Sequence, residues 1–312
     1  MSAFVRETQI AVCDRKGEKK KVVELNIQTE GRKLYYGSHR GRAHISLTSP
    51  KQAKLNDRRA WEYLEMLIEM NFGAGDYHLS LTYDKKYLPE TDEGAKRDYD
   101  RFLSRAKKLY RSYGIKLVPL MIMSQSKKRG ALVRLHMHVI MQGGVPREEI
   151  EALWRGPDKS GRCKPGEEEK RLGPKLGFAD CDRLQPDGNG LAALCAYLKK
   201  QPRDGIARRW YAGIGLKKPY ISGRNDDKYD IADVKRIAER NADAVDVAWW
   251  ERQYPGWTVY DAREYAYRCT DSELSGVSIR IKLRRLTEEE LQERKREREG
   301  RKCRKESANA DD

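Results

Sequence analysis

The chain lacks the features that mark secreted, membrane-spanning and nucleotide-driven proteins. Its six cysteines include no CxxC pair, which argues against a zinc ribbon and against a disulfide framework. No apolar stretch approaches the roughly 20 residues that span a membrane, and the first residues are too few and too polar for a signal peptide. No GxxxxGKS or GxxxxGKT sequence occurs, so nothing indicates a P-loop ATPase or a built-in helicase. We therefore expect a cytoplasmic protein with reduced thiols and no membrane partner.

Histidine is also scarce, whereas basic residues are abundant. The 312 residues include five His, and 64 Lys and Arg against 48 Asp and Glu give a net charge of +16. A surplus of this size usually accompanies a polyanionic partner, most often nucleic acid. A solvated surface with a basic tail is the competing explanation, although basic residues also recur through the middle of the chain.

Two of the five histidines lie one residue apart in an apolar segment that reads Leu135, His136, Met137, His138, Val139. Because successive side chains of a strand point to opposite faces, the two histidines share one face and their apolar neighbours share the other. Two imidazoles held side by side on a strand form half of a metal site. A polar strand face without a ligand is the competing interpretation of so short a motif.

Hydrophobic periodicity predicts an α+β fold, in which one antiparallel sheet carries helices packed on one face in a ferredoxin-like or RRM-like layout. The histidines would lie on the open face. The predicted helices cover 56–71, 95–113, 146–154 and 190–200, and the predicted strands cover 77–84, 117–125, 131–141 and 177–184.

The central domain is predicted to span 55–222, between two extensions of different character. Residues 1–54 form a basic N-terminal extension with short strand-like pieces. Residues 223–312 combine a helix near 231–240, a β-ribbon over 257–268 and 276–285, and a highly charged helix that ends in a polar tail. That last helix is predicted to begin with a capping box at Thr287.

A helix downstream of the histidines carries Tyr197 and Lys200, which lie three residues apart and therefore share one edge. A phenol and an amine beside a divalent metal suit nucleophilic attack on a phosphodiester, with the lysine offsetting the phosphate charge. The same YxxK spacing also occurs at Tyr83 and Tyr113. A half-buried core tyrosine is the competing interpretation of Tyr197.

The order of these motifs resembles that of the HUH endonucleases, specifically the rolling-circle replication initiator (Rep) proteins of bacterial plasmids and filamentous-phage-like elements. The resemblance covers roughly residues 55–222. The similar segments are YHLSLTYD at 77–84, RLHMHV at 134–139, AYLKK at 196–200 and RWYAGIGLKKP at 209–219.

The resemblance implies a metal-dependent, strand-specific DNA endonuclease and strand transferase. Tyr197 would nick one strand, retain the 5′ end as a phosphotyrosine and later allow rejoining, while Lys200 would position the phosphate or stabilise its charge. The implied partners are single-stranded or supercoiled origin DNA, together with a host helicase and a host polymerase.

The resemblance also implies that His136 and His138 bind Mg²⁺ or Mn²⁺ with a third protein ligand. Family members often carry a glutamate on the preceding strand, where this chain has no carboxylate. Gln125 is the candidate third ligand, and Asp84 on the first strand is the alternative. An amide is a weaker ligand than a carboxylate for a hard cation.

Candidates for DNA contact come from the basic helix at 95–113, the histidine strand and the basic aromatic segment that follows the tyrosine helix. They are Arg105, Lys108, Arg134, Arg208, Arg209, Trp210, Lys217 and Lys218. Trp210 is suited either to stacking on unpaired bases or to ordinary core packing.

Four other protein classes are alternatives to a Rep protein. A single-tyrosine transposase or a mobilisation relaxase shares the chemistry, but relaxases usually place the tyrosine before the histidines. A histidine-triad hydrolase needs a third histidine where this chain has Ile140. An RRM-like nucleic-acid-binding module without catalysis predicts aromatic residues on the open sheet face.

Overall fold

The computed structural model describes residues 4–13, 20–30, 50–128, 131–158, 172–186, 190–202, 210–222, 225–260, 267–270 and 277–296. It divides into two compact units, one formed by 1–58 together with 219–312, and the other by 59–218. The fold class is α+β, and the strands pair antiparallel in two sheets. Among the described residues, no helix is long and apolar enough to cross a membrane.

The elements are numbered along the chain within the described residues. The helices are α1 (Pro50–Asn71), α2 (Asp92–Ser112), α3 (Arg147–Glu151), α4 (Ala192–Lys200), α5 (Ile231–Arg240) and α6 (Val247–Gln253). The strands are β1 (Phe4–Cys13), β2 (Lys20–Glu30), β3 (Tyr77–Thr82), β4 (Leu120–Lys128), β5 (Ala131–Met141), β6 (Ala179–Arg183), β7 (Tyr211–Ala212), β8 (Tyr220–Ile221), β9 (Trp257–Val259), β10 (Tyr267–Thr270) and β11 (Ser278–Arg285).

The unit at 59–218 is built on a five-stranded sheet with the order β6-β3-β5-β4-β7. β5, the histidine strand, lies between β3 and β4, where its backbone is paired on both edges. Its register sets Ser80 of β3 opposite His138, and Thr82 opposite His136. The two histidines therefore lie on a central strand of the sheet, where the backbone is rigid.

One face of this sheet is apolar and is covered by α2 and α3, as the alternation in the sequence predicts. Leu135, Met137 and Val139 of β5 belong to this core together with Phe102 of α2 and Trp154 after α3. Thr91 caps the first turn of α2, so the helix begins where a capping side chain is available.

The prediction of helices on one face only is wrong, because α1 and α4 pack against the histidine face. Ile122 and Ile140 extend that face as an apolar stripe, which buries against side chains of α1 and α4 such as Leu64 and Leu198. The physical reason is that this face is polar only at one end. Its apolar end is buried by these helices, and the histidines lie next to that end, where His138 pairs with Ile122.

The other unit joins the two predicted extensions in a single sheet. Its strand order is β10-β11-β2-β1-β8, and β9 pairs with β11 beside β10. β11 pairs Ile279 and Ile281 with Ile27 and Leu25 of β2, and all four side chains are buried. The described strands of the two predicted extensions therefore belong to one sheet, and the described part of the predicted ribbon is one part of it.

Helices α5 and α6 contact strands of this unit. α5 contacts β1 and β2, and it begins at Asp230 with a capping box shared with Asp233. The predicted capping box at Thr287 is confirmed, because Thr287 Oγ1 accepts from the Glu290 N–H and Glu290 accepts from the Thr287 N–H. Residues 288–296 are helical.

Candidate active site

Three histidines, rather than the two predicted, meet on the face of the five-stranded sheet against which α1 and α4 pack. The rings of His136 and His138 have centroids 4.8 Å apart, and His78 of β3 stacks on His138 at 5.2 Å. Sequence analysis missed His78 as a functional residue. Its alternation with the apolar side chains of β3 already assigned it to the polar face, but only the register of β3 on β5 brings it beside His138.

Hydrogen bonds fix one nitrogen of each paired histidine and leave the other available. His138 Nδ1 lies 3.1 Å from His78 Nε2, and the Gln201 side chain hydrogen-bonds His136. Among the described residues, His136 Nδ1 and His138 Nε2 are buried and have no hydrogen-bond partner. Two buried imidazole nitrogens without partners are a cost to folding and are the donor atoms that a divalent metal uses.

The environment keeps these imidazoles neutral. Burial lowers the pKa of His138 to about 3, and the charges of His78, His136 and Arg134 act in the same direction. Burial, then Arg134, also lowers the pKa of His136 below its ordinary value. A neutral imidazole has a free lone pair, so the histidines are in the protonation state that binds metal.

Two carboxylates lie beside His78 on the edge strand β6. Asp182 pairs with His78, and Asp180 pairs with Ser80, so both share the histidine face and both are exposed. Burial lowers the pKa of His78, whereas Asp182 and Asp180 act to raise it. These residues place negative charge at the histidine face, on a strand that lies outside the predicted site.

Gln125, the predicted third ligand, lies on the wrong face of the sheet. It pairs with Leu135 and shares the apolar side with Met121 and Met123 of the α2 core. The residue of β4 that faces His136 is Ser124. The alternative ligand, Asp84, is exposed beyond the end of β3, where its N–H bonds the Leu176 carbonyl.

The histidine face offers two nitrogen donors for a metal ion. Among the described residues, no group of three or more His, Cys, Asp and Glu side chains is arranged to hold a metal. His136 Nδ1 and His138 Nε2 nevertheless fit the chemistry of a divalent ion that takes its remaining ligands from water or substrate. Imidazole ligands favour a transition metal over Mg²⁺.

α4 brings Tyr197 against the histidines. The Tyr197 ring lies edge-on to His138 with centroids 5.4 Å apart, and to His78 at 6.2 Å. Its side chain is 47% exposed, so about half of it is accessible to solvent. The buried Leu198 anchors the helix on the core below.

The residues that follow α4 tie its C-terminus to β4. The Pro202 carbonyl accepts from the Gln125 N–H at 2.9 Å and from Ser124 Oγ at 2.8 Å. Gln125 thus supports the site through its backbone. Lys200 ends the helix one turn after Tyr197 and is exposed.

The predicted DNA contacts of α2 are not supported at this site, because α2 covers the opposite face of the sheet. Arg105 is held inward: its guanidinium donates to the carbonyls of Leu153, Arg155 and Gly156 and pairs with Asp158 at 2.6 Å. Lys108 is exposed on the outer side of the same helix.

The other predicted contacts have mixed outcomes. Arg134 shares the face of His136 and is exposed, whereas Trp210 packs against the core under α1 and α4. Lys217 and Lys218 are exposed. Arg208 and Arg209 lie outside the described residues.

Comparisons of the chain with protein-family models, with curated proteins and with solved structures return no match. Function is therefore inferred from the chemistry of the histidine face. That face combines an accessible phenol, nearby positive charge and two imidazole nitrogens that have no partner in the described part of the chain.

Proposed function

We propose that the chain is a rolling-circle replication initiator of the HUH endonuclease type, which nicks and rejoins one DNA strand through Tyr197. One observation carries the proposal: an exposed tyrosine lies edge-on to His138, beside two buried imidazole nitrogens that have no partner among the described residues. A tyrosine that served only to fill space would not need to be exposed to solvent. It would also not need to lie beside imidazole nitrogens that have no partner among the described residues.

The order of the strands supports the same proposal. β3, α2 and β4 form one βαβ unit, and β5, α3 and β6 form a second. Each unit has one strand of the other inserted between its own two strands, which is the split βαβ arrangement of ferredoxin-like and RRM-like folds. The resemblance to Rep proteins implies this arrangement, with the paired histidines on the central strand.

In the proposed reaction, Tyr197 Oη attacks the phosphorus of a DNA phosphodiester. The phenol gives up its proton as the bond from phosphorus to tyrosine oxygen forms, the bond from phosphorus to the 3′ oxygen breaks, and the departing 3′ oxygen takes up one proton, so that no net proton is gained or lost. The products are a 5′-phosphotyrosine and a free 3′-OH. The bond energy is kept in the phosphotyrosine, so a 3′-OH can later reverse the step.

The chain's own residues position this reaction. A divalent metal bound by His136 and His138 would supply charge that polarises the scissile phosphate. His78 and Gln201 hold the two imidazoles so that each keeps one free nitrogen. Lys200, one turn from the tyrosine, adds positive charge near the phosphate.

A nucleic-acid-binding module without catalysis is the second candidate. It is favoured by Phe178, an exposed aromatic residue that precedes β6. A single-tyrosine transposase or relaxase would use the same phosphotyrosine chemistry, and differs in the DNA that it joins.

The test is capture of a covalent adduct between the full-length protein and single-stranded DNA. The protein is incubated with a random-sequence pool of oligonucleotides and Mn²⁺, denatured in detergent and separated from free DNA. We expect DNA linked through a 5′ phosphate to Tyr197, detectable by mass spectrometry, and enrichment of one sequence among the linked strands.

Tyr197→Phe removes the nucleophile and should abolish the adduct. Tyr113→Phe is the matched control, because Tyr113 is 43% exposed, belongs to the same unit and is also followed three residues later by a lysine. Failure of the wild-type protein to form any adduct would rule out the proposal. An adduct that persists in Tyr197→Phe would rule out the assignment of the nucleophile.

A further inference from the structure

Phe178 presents a large apolar side chain to solvent immediately before the edge strand β6. It is 65% exposed, whereas Phe72 and Phe102, the other phenylalanines whose side chains are described, are buried. Lys175 lies over its ring, with Nζ 5.9 Å from the centroid. A single exposed apolar residue needs no explanation by itself. The position of Phe178 on the sheet is what indicates a role for its ring.

The register assigns Phe178 to the same face as the histidines. β6 pairs Ala179 with Leu81, so Phe178 continues the pairing opposite Thr82, which in turn pairs with His136. Neighbouring strands lie about 4.8 Å apart, so the backbone of Phe178 is roughly 10 Å from that of His136. This separation suits a base that adjoins a phosphate held at the histidines.

The backbone of Phe178 is fixed to the end of β3. Its carbonyl accepts from the Thr82 N–H at 2.8 Å and from Thr82 Oγ1 at 3.0 Å, and its N–H donates to Thr82 Oγ1 at 3.2 Å. The preceding residue must be a glycine, because a Cβ on Gly177 would collide with the backbone of Thr82 and Tyr83. The phenyl ring therefore projects from a rigid support.

Two cations lie near the other end of the same row. A cleft of about 550 Å³ opens beside Thr82 and His136, and Arg134 and Lys85 line it. Both cations are exposed. Arg134 lies two residues before His136 on β5 and therefore shares its face of the sheet.

We propose that Phe178 is the stacking platform for one base of a single-stranded DNA substrate, whose adjoining phosphates are bound by Arg134 and Lys85. The combination of an exposed aromatic ring with a cationic groove is the one that binds unpaired bases. The inference rests on the proposed function, because the base that stacks on Phe178 is the one beside the phosphate that Tyr197 attacks.

The test separates stacking from charge by using two oligomers without metal. One is oligothymidylate of about 16 nucleotides, a typical upper site size for a stacking domain. The other is a fully abasic deoxyribose-phosphate oligomer of the same length. Fluorescence anisotropy gives the dissociation constant of each for the full-length wild type, Phe178→Ala, Phe178→Trp and Arg134→Ala.

We expect Phe178→Ala to bind oligothymidylate about 5- to 150-fold more weakly, the factor that corresponds to one lost base stack, and to bind the abasic oligomer as the wild type does. Phe178→Trp should keep the wild-type affinity for both. Arg134→Ala should weaken both. Ile214→Ala, which removes a side chain that is 98% exposed in the same unit, is the control for general hydrophobic adhesion.

Two results would overturn the inference. One is a dissociation constant of Phe178→Ala for oligothymidylate within two-fold of the wild-type value. The other is an equal loss of affinity for oligothymidylate and for the abasic oligomer. Failure of the proposed function has a different signature. If the adduct never forms but Phe178→Ala selectively weakens binding of oligothymidylate, the stacking platform stands and the chain is a binding module without nuclease activity.

Discussion

His78 and Gln201 act on the candidate metal site through the histidines that they contact. When His138 Nδ1 carries a proton and donates it to His78 Nε2, the lone pair of His138 is confined to Nε2. Gln201 does the same for His136, where Nδ1 is the nitrogen left free. Contacts of this kind set the tautomer of a metal-binding histidine and its orientation.

His78→Ala should therefore weaken Mn²⁺ binding by about 10- to 100-fold, the usual effect of losing a hydrogen-bond partner of a metal ligand. Electron paramagnetic resonance titration of the full-length protein measures this affinity without requiring nicking. His78→Gln should recover part of the loss, because a side-chain oxygen can still accept from His138 Nδ1. Unchanged Mn²⁺ affinity in His78→Ala would show that His78 only fills space.

Arg105 and Lys108 provide a contrast between two basic residues of one helix. Arg105 satisfies three partly buried carbonyls, so Arg105→Ala should reduce the free energy of unfolding by about 1–3 kcal/mol. The exposed Lys108 should be replaceable by alanine within about 0.5 kcal/mol. Urea unfolding measures both changes.

Neither change should weaken oligothymidylate binding as Arg134→Ala does, because α2 covers the face opposite the histidines. A loss of DNA affinity in Lys108→Ala equal to that of Arg134→Ala would mean that α2 contacts DNA after all.

At the scale of elements, local sequence signals predict where most helices and strands lie. They do not predict which strands pair, because the paired strands are distant in sequence. The predictions for 131–141 and 231–240 agree with β5 and α5. The face of Gln125 was also accessible from sequence, since it alternates in step with Met121 and Met123. The proximity of His78 to His138 was not, because it requires the register of β3 on β5.

The capping box at the start of the helix over 288–296 contains a glutamate that makes the stability of the fold depend on pH. Hydrogen bonds from Arg284, then from Thr287, lower the pKa of Glu290 to about 2 from an ordinary 4.5. A carboxylate with a lowered pKa stabilises the folded state fully above pH 4.5, and this stabilisation is lost as the pH falls from 4.5 towards 2.

Glu290→Gln should abolish this part of the acid sensitivity, because the amide oxygen can still accept from the Thr287 N–H but carries no charge. Thermal unfolding of the wild type and the variant, measured between pH 6 and pH 3, gives the comparison. Parallel loss of stability in both proteins over this range would show that Glu290 contributes nothing to the pH dependence.

At the scale of the whole molecule, the sheet formed by β1, β2 and β11 joins segments from the two ends of the chain. The buried side chains of β11 are Ile279, Ile281, Lys282 and Leu283, and their removal would expose the edge of β2. A chain that ends at residue 276 should therefore lose the structure of this unit while the five-stranded sheet persists.

Amide hydrogen exchange of that shortened chain tests the expectation. Protection should disappear over 20–30, although these residues are distant in sequence from the deletion, and should remain over 77–82 and 135–141. Continued protection of 20–30 would mean that the β1–β2 hairpin is stable without β11.

The pairing of β2 with β11 also has a consequence for the order of folding during synthesis. Thr29 hydrogen-bonds Val277, which follows 248 residues later. At typical translation rates, that interval lasts roughly 12 to 50 s. Throughout that time β2 has an unpaired edge that can join another nascent chain, whereas residues 59–218, being continuous, can fold before β11 has been made. The unit at 59–218 is thus expected to fold before the other unit can complete its sheet, which makes the β1–β2 hairpin the segment that depends most on chaperones.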